Sequence, residues 1–136
     1  METPLNLVLV SGTDDRLGAA AVLAAGAAAL GRPVNILLTY SALDAFRKDR
    51  IGDVGLSADA PASVAKRYSE ARQSGMGTWA DNFAAAKDIG EVKIIACSLS
   101  MDFLKLEESD LSPLVDEVAG VTGFFLDAGE GSITVV

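Results

Sequence analysis

Cys97 is the only cysteine in a chain of 136 residues, and the chain contains no histidine. A single thiol cannot make an internal disulfide framework or anchor a Cys-rich metal cluster. Without histidine, the Ser-His-Asp and Cys-His pairs and the His-ligated zinc sites are excluded as well. What remains to a lone thiol is nucleophilic exchange, which needs thiolate character, access and a favourable electrostatic setting. The residues that follow, Ser98-Leu99-Ser100-Met101-Asp102, can begin a helix, and the N–H groups at such a start stabilise a thiolate. Free cysteine is also among the most buried residue types, so a packing role stands beside the chemical one. No cofactor and no metal is expected.

The rival motifs are weaker. Gly75-Met76-Gly77-Thr78-Trp79-Ala80 spells GxGxxA, but it follows a polar helix, and a dinucleotide fingerprint must follow a strand. The loop after the first strand lacks the Gly-Lys-Ser/Thr ending of a P-loop. Asp14 and Asp15 stand where receiver domains carry an acidic pair. The place of the phospho-accepting aspartate is taken by Cys97, so both acids are read as helix-capping residues. A thiol peroxidase would carry Thr or Ser three positions before its cysteine, and Ile94 stands there. Tyr40 and Trp79 are read as packing residues.

These residues need elements to position them. Residues 5–10 (LNLVLV) form a short apolar run stopped by Ser11-Gly12, a buried strand. Thr13 or Asp14 can cap the helix that follows, which runs to about Leu30 and stops at Gly31-Arg32-Pro33. Its alanines, with Gly18 and Gly26, make a thin cylinder suited to close packing on a sheet. Residues 34–39 (VNILLT) read as the second strand, and 41–48 as a short helix. Residues 50–61 are a Gly- and Asp-rich loop, followed by helices at 62–73 and about 78–89. Residues 92–96 (VKIIA) form the third strand, ending at Cys97; 114–118 is a weak fourth strand, 120–128 a short helix and 132–136 the last strand.

Strands alternating with helices, each strand an apolar run, imply a parallel sheet covered on both faces. The expected fold is α/β: a three-layer α/β/α sandwich around a parallel sheet of about five strands, one domain over residues 1–136. Ligands of such sheets bind outside the carboxyl ends of the strands. That edge gathers Cys97 with a rim of Gly12, Thr13, Tyr40, Ser41, Ser98, Ser100 and Met101.

Charge narrows the partners. The chain carries 11 basic and 19 acidic residues, a formal net charge of −8. From Met101 onward Lys105 is alone against eight acids. Nucleic acid, which is bound by neutralising phosphates, is not an expected partner. Arg47, Lys48, Arg50, Lys66, Arg67 and Arg72 form a local basic cluster, either a solvated face or a docking patch for an anion or an acidic partner. The most apolar stretch, residues 17–30, is too short for a membrane span of about 20 residues. The opening Met1-Glu2 lacks the basic start of a leader, so a cytoplasmic protein with no membrane partner is expected. Phe124, Phe125 and Leu126 make an apolar run that one helix face cannot fully bury.

Three segments carry a resemblance to a known family: LVLVSG, LGAAAVLAAGAAALGRPVNILLTY and IIACSLSMDFLKL, with VDEVAGVTGFFLDAGEGSITVV closing the chain. The chain resembles the DsrE/DsrF-like family of small sulfur-handling proteins, in its peroxiredoxin-like DsrE branch. The resemblance implies a five-stranded parallel α/β/α fold and a homo-oligomer, a trimer or hexamer. It also implies that Cys97 holds sulfur as a persulfide or thiosulfonate, exchanging it with rhodanese-like or TusA-like relay proteins or a small sulfur anion. Ser98, Ser100 and Met101 would shape the site locally. With no second thiol, hand-off to another protein is favoured over an internal disulfide cycle. The alternative is a non-catalytic oligomeric binding or assembly module with an inert Cys97.

Overall fold

The computed structural model describes residues 3–136. Five strands, β1 (Leu5–Leu9), β2 (Val34–Leu38), β3 (Val92–Cys97), β4 (Glu117–Ala119) and β5 (Ile133–Val135), form one sheet in the order β4-β3-β2-β1-β5. Every pairing is parallel. Parallel neighbours need crossovers, and these are supplied by α1 (Asp14–Ala29), α2 (Tyr40–Ala45), α3 (Ala62–Gln73), α4 (Trp79–Ile89), α5 (Ser98–Leu104) and α6 (Val121–Ala128).

Successive side chains on a strand point to opposite faces, and the register sorts them into two unequal layers. Leu7, Leu9, Ile36, Leu38, Ile94 and Ala96 face α1 and α4 in the main core. On α1, Ala20, Ala21, Ala24, Ala27 and Ala28 are buried, and their short side chains allow the close approach that the composition suggests. Gly18 and Gly26 have no part in that approach, because a Cβ added at either would have no heavy atom within 4 Å. Phe46, Trp79 and Phe83 close the layer as an aromatic cluster, with Phe46 and Trp79 ring centroids 5.0 Å apart.

The opposite face is only partly covered. A smaller cluster of Leu37, Ile95, Cys97 and Phe124 joins the sheet to α6. Val10 and Val135 remain exposed. Coverage of both faces therefore holds in kind, while the second layer is thin. Of the apolar run expected to exceed one helix face, Phe124 is buried and Phe125 and Leu126 are exposed.

Asn6 and Asn35 interrupt the apolar runs of β1 and β2, and they are register partners. Both are buried, and a buried amide must find partners. Asn35 Nδ2 donates to Asn6 Oδ1 at 3.0 Å and to the Asp127 carbonyl at 3.2 Å. Asn6 Nδ2 donates to the carbonyls of Ala128 (3.2 Å) and Ser132 (3.3 Å). The last turn of a helix leaves carbonyls without intrahelical partners, and this pair satisfies two of them on α6. Asn6→Leu keeps the size and removes the donors, stranding the Asn35 amide and the α6 end. We expect a loss of about 2–3 kcal/mol in urea unfolding. A loss below about 0.5 kcal/mol, the level of an ordinary surface change, would show the pair to be dispensable.

The fourth strand begins later than the sequence suggests. Ser112 organises a turn, accepting the Val115 N–H on its carbonyl and the Leu114 N–H on its hydroxyl. The Asp116 carboxylate accepts the Ile94 N–H at 2.7 Å. Ladder pairing starts only at Glu117, opposite Ile95. The second helix is also shorter than expected, its backbone leaving the helix at Phe46.

Asp14 and Asp15 do more than favour the positive end of α1. Thr13 is the N-cap residue, yet no side-chain cap bond forms there. Asp14 is buried, accepting the Tyr68 hydroxyl at 2.8 Å and Arg72 Nη1 at 3.0 Å. Asp15 accepts both the amide and the hydroxyl of Ser57. Together they tie the 49–77 excursion, whose helix α3 has no buried residue, to the body of the fold. Burial alone would push the Asp15 carboxyl up. Hydrogen bonds from the Ser57 hydroxyl, the Thr13 hydroxyl and the Ser57 amide outweigh it and bring the carboxyl down from 3.8 to about 2. A depressed folded-state pKa contributes stability above the unfolded value that is lost as pH falls from about 4 to 2. After screening at this partly exposed site, the expected contribution is about 1 kcal/mol. Thermal melts of wild type and Asp15→Asn should differ by that amount at pH near 5 and converge near pH 2. Equal melts at both pH values would contradict it.

Candidate functional site

Cys97 ends β3 and stands at the N-cap position of α5, with no side-chain cap bond. Its alternation along β3 turns the side chain to the thinly covered face, where it packs with Leu37, Ile95 and Phe124. Ala119 is its register partner on β4. The residue is 9% exposed. The thiol therefore lies just beneath the surface at the carboxyl edge of the sheet, under one aromatic ring and beside small residues. Gly120, which opens α6, would place a Cβ 3.7 Å from Ser98 Oγ.

The loops of the expected rim are bound to one another. Gly12 presses on the β2–α2 junction so closely that a Cβ there would fall 2.2 Å from the Ser41 carbonyl oxygen. Ser11 and Thr13 share a side-chain hydrogen bond of 3.2 Å. Tyr40 opens α2 with φ +48, a conformation that side chains other than Gly, Asn and Asp rarely adopt. Such strain persists only where the surroundings enforce it. Here the Tyr40 N–H donates to Ser100 Oγ at 3.1 Å, and its ring lies 5.2 Å from that of Phe103. The strained residue thus ties the second loop to the helix that Cys97 begins.

The structure brings Gly12, Ser41, Tyr40 and Ser100 into one connected edge with Cys97 at its far strand. Met101 departs from the rim: it is buried in the main core, where the rotation of α5 carries it away from the thiol's cluster. Ser100 is buried and serves as an anchor, whereas Tyr40 and Ser41 are exposed. Trp79 is buried in the core, as a packing reading requires, while Tyr40 is 55% exposed. Two further residues shape the edge: Phe124, marked in the sequence only as part of an apolar run, packs with the thiol, and Phe103, unmarked there, lies against Tyr40. Their signal was positional: Phe103 lies on the helix that the cysteine begins, and Phe124 lies in the run too apolar for one face.

Three members of the basic cluster are held in ion pairs. Arg47 pairs with Asp44 and Asp49, Arg50 with Asp44, and Arg72 with buried Asp14. On the thiol's own face, Lys93 is bracketed by Asp127 and Glu117. The bond to Asp127 and then that to Glu117 push its ammonium up from the usual lysine value. Among the described residues, no three His, Cys, Asp or Glu side chains converge as metal ligands would. None of their helices is long and apolar enough to cross a membrane. A cleft of about 350 Å³ opens at the amino ends of the strands between Asn35, Lys93 and Asp116, at the other end of β3 from Cys97.

The five-stranded parallel sheet with helices on its faces is a fold shared with known small α/β proteins. The model of the DsrE/DsrF/DrsH-like family matches residues 70–136, the half of the chain that carries Cys97. YrkE of Bacillus subtilis, an uncharacterised protein, is 31% identical over an alignment of 156 positions covering 95% of this chain and 93% of that one. The chain belongs to the DsrE/DsrF-like family. Two solved structures share the fold. One is MTH1491 of Methanobacterium thermoautotrophicum, a protein of unknown function, at 15% identity and TM-score 0.53, covering 99% of this chain and 100% of its own. The other is ychN of E. coli, at 15% identity and TM-score 0.52, covering 97% of this chain and 99% of its own.

Proposed function

We propose that this protein is a sulfur carrier that holds sulfane sulfur on Cys97 and passes it to a partner thiol. One observation supports the reading: the only thiol of a DsrE/DsrF-like chain ends an interior strand, β3, at the carboxyl edge of the sheet. The chemistry needs no second residue. The Cys97 thiolate attacks the outer sulfur of a persulfide donor R–S–SH. A new sulfur–sulfur bond forms on Cys97, the donor's own sulfur–sulfur bond breaks, and the donor leaves as the thiolate R–S⁻. An acceptor thiolate then attacks the same outer sulfur and releases the Cys97 thiolate. Sulfur, charge and electrons balance without an external oxidant.

Leu99 and Phe103, one helical turn apart on α5, are exposed beside Tyr40. We assign this apolar rim to the relay partner, a rhodanese-like or TusA-like protein. The uncovered sheet face with Val10 and Val135, flanked by Phe125 and Leu126 of α6, we assign to a second copy of the chain, within a trimer or hexamer. Exposed apolar surface of this kind marks interaction sites. Treating the protein with glutathione persulfide and weighing it intact tests the carrier reading. Addition of one sulfur atom is expected, and none on wild type would overturn it.

The burial of Cys97 favours one second reading, an oligomeric binding or assembly module in which the thiol is inert. Titrating thiol reactivity against pH separates the two. An unreactive Cys97 in an intact oligomer, measured by light scattering, selects the module.

A further inference from the structure

On the layer opposite the thiol's face, the outer side of α1 carries apolar residues that nothing in the chain covers. From Leu17 to Gly31 the sequence has no charged residue. Val22 is 64% exposed and Leu30 75%, with Leu23 exposed between them and Ile89 exposed on the adjoining α4. Contiguous apolar surface of this kind marks contact with another molecule.

The pattern centres on Gly26. Residues three and four apart share a face of a helix, so Leu23 and Ala29 on one spacing, and Val22 and Leu30 on the other, ring Gly26 on both sides along the chain. Gly26 and Ala29 are exposed as well. A Cβ added at Gly26 would meet no heavy atom within 4 Å. The chain's own packing therefore does not ask for glycine there, and glycine is poorer than alanine inside a helix. The result is a notch rimmed by apolar side chains. Such a notch admits a second helix closely, because the distance between packed helices is set by the side chains at their contact.

Charge and symmetry select the occupant. The formal net charge of −8 makes copies of this chain repel one another, and the uncharged face of α1 is where that repulsion is least. A basic partner protein would find no carboxylate on it to pair with. The ring is also its own complement. Reversing the helix about Gly26 exchanges Leu23 with Ala29 and Val22 with Leu30, apolar for apolar, which is the self-match that an isologous contact requires. We propose that α1 packs antiparallel against α1 of a second copy about a two-fold axis at Gly26, with Leu30 of each copy against Val22 and Leu23 of the other. A parallel pair would set two helix C-termini side by side, and the last turn of α1 has no basic residue to offset their partial negative charges.

This contact involves no sulfur chemistry and lies on the other layer from the sheet face already assigned to a second copy. Light scattering tests it. Leu30→Glu and Gly26→Leu should each halve the mass of the wild-type assembly while circular dichroism stays native. Leu126→Glu, on the sheet-face side, should remain at least dimeric. Cross-linking reads the register, with single cysteines placed in the Cys97→Ala chain. A disulfide needs Cα atoms within about 7 Å, so co-expressed Leu23→Cys and Leu30→Cys chains should cross-link at least about tenfold faster than either alone. A parallel pair would instead cross-link each variant with itself. A monomeric wild type leaves the face to a different protein and overturns the proposal. Unchanged mass in both Leu30→Glu and Gly26→Leu, a monomeric Leu126→Glu, or no gain on co-expression would overturn it as well.

Discussion

Cys97→Ala should take up no sulfur at all from glutathione persulfide, while wild type gains one sulfur atom per chain. The effect is complete because no other cysteine exists to receive it. The fold should survive. Cys97 packs against Leu37, Ile95 and Phe124, and replacing its sulfur by a small void costs about 1 kcal/mol, a few degrees in melting temperature. Alanine is preferable to serine here, because a buried hydroxyl would need a partner. Loss of loading with a near-native melt assigns the chemistry to the thiol. Equal loading of Cys97→Ala would place the sulfur elsewhere and end the carrier reading.

The address of that thiol was legible in the sequence for a simple reason. A buried parallel strand is a continuous apolar run, and VKIIAC stops abruptly at Ser98. The same feature concealed which face the thiol would take and how thinly that face is covered. A run that is apolar on both sides carries no alternation by which to tell them apart. Asn6 and Asn35 break the runs of β1 and β2, each as the second residue of its strand, and that shared position was the available signal. Their meaning depended on where α6 ends, a contact more than 90 residues away in the chain. Asp14 and Asp15 likewise had a local reading at the head of α1. Their partners Ser57, Tyr68 and Arg72 lie in a stretch whose sequence has no pattern to announce it.

The thin second layer connects fold to function. A sheet face covered by one eight-residue helix leaves strand-end residues near solvent, and Cys97 lies at the border of that cover. The carboxyl edge, by contrast, is tied together: at Tyr40, whose φ is positive, Ser100 takes the N–H and Phe103 lies against the ring. Rigid loops around a shallow thiol suit a carrier, whose partners must reach the sulfur without the site rearranging.

Gly12→Ala tests whether that rigidity is needed. The added Cβ would lie 2.2 Å from the Ser41 carbonyl oxygen and 2.7 Å from its carbon, so backbone must move. Neither side yields easily. The Val10 carbonyl accepts the Ala42 N–H at 3.1 Å, while the N–H groups of Val10 and Ser11 donate to the Val136 carbonyl. The Asp14 N–H donates to the Gly55 carbonyl at 2.8 Å. Overpacking costs about 1–3 kcal/mol where side chains can adjust; with backbone on both sides, about 3 kcal/mol is expected in urea unfolding. Moving Ser41 also moves Tyr40 and loosens its bond to Ser100, one turn from Cys97. Sulfur loading should therefore slow in Gly12→Ala even under conditions where the variant is fully folded. Loading at the wild-type rate in a destabilised but folded variant would show that the edge serves the fold alone. An unchanged urea midpoint would refute the close contact itself.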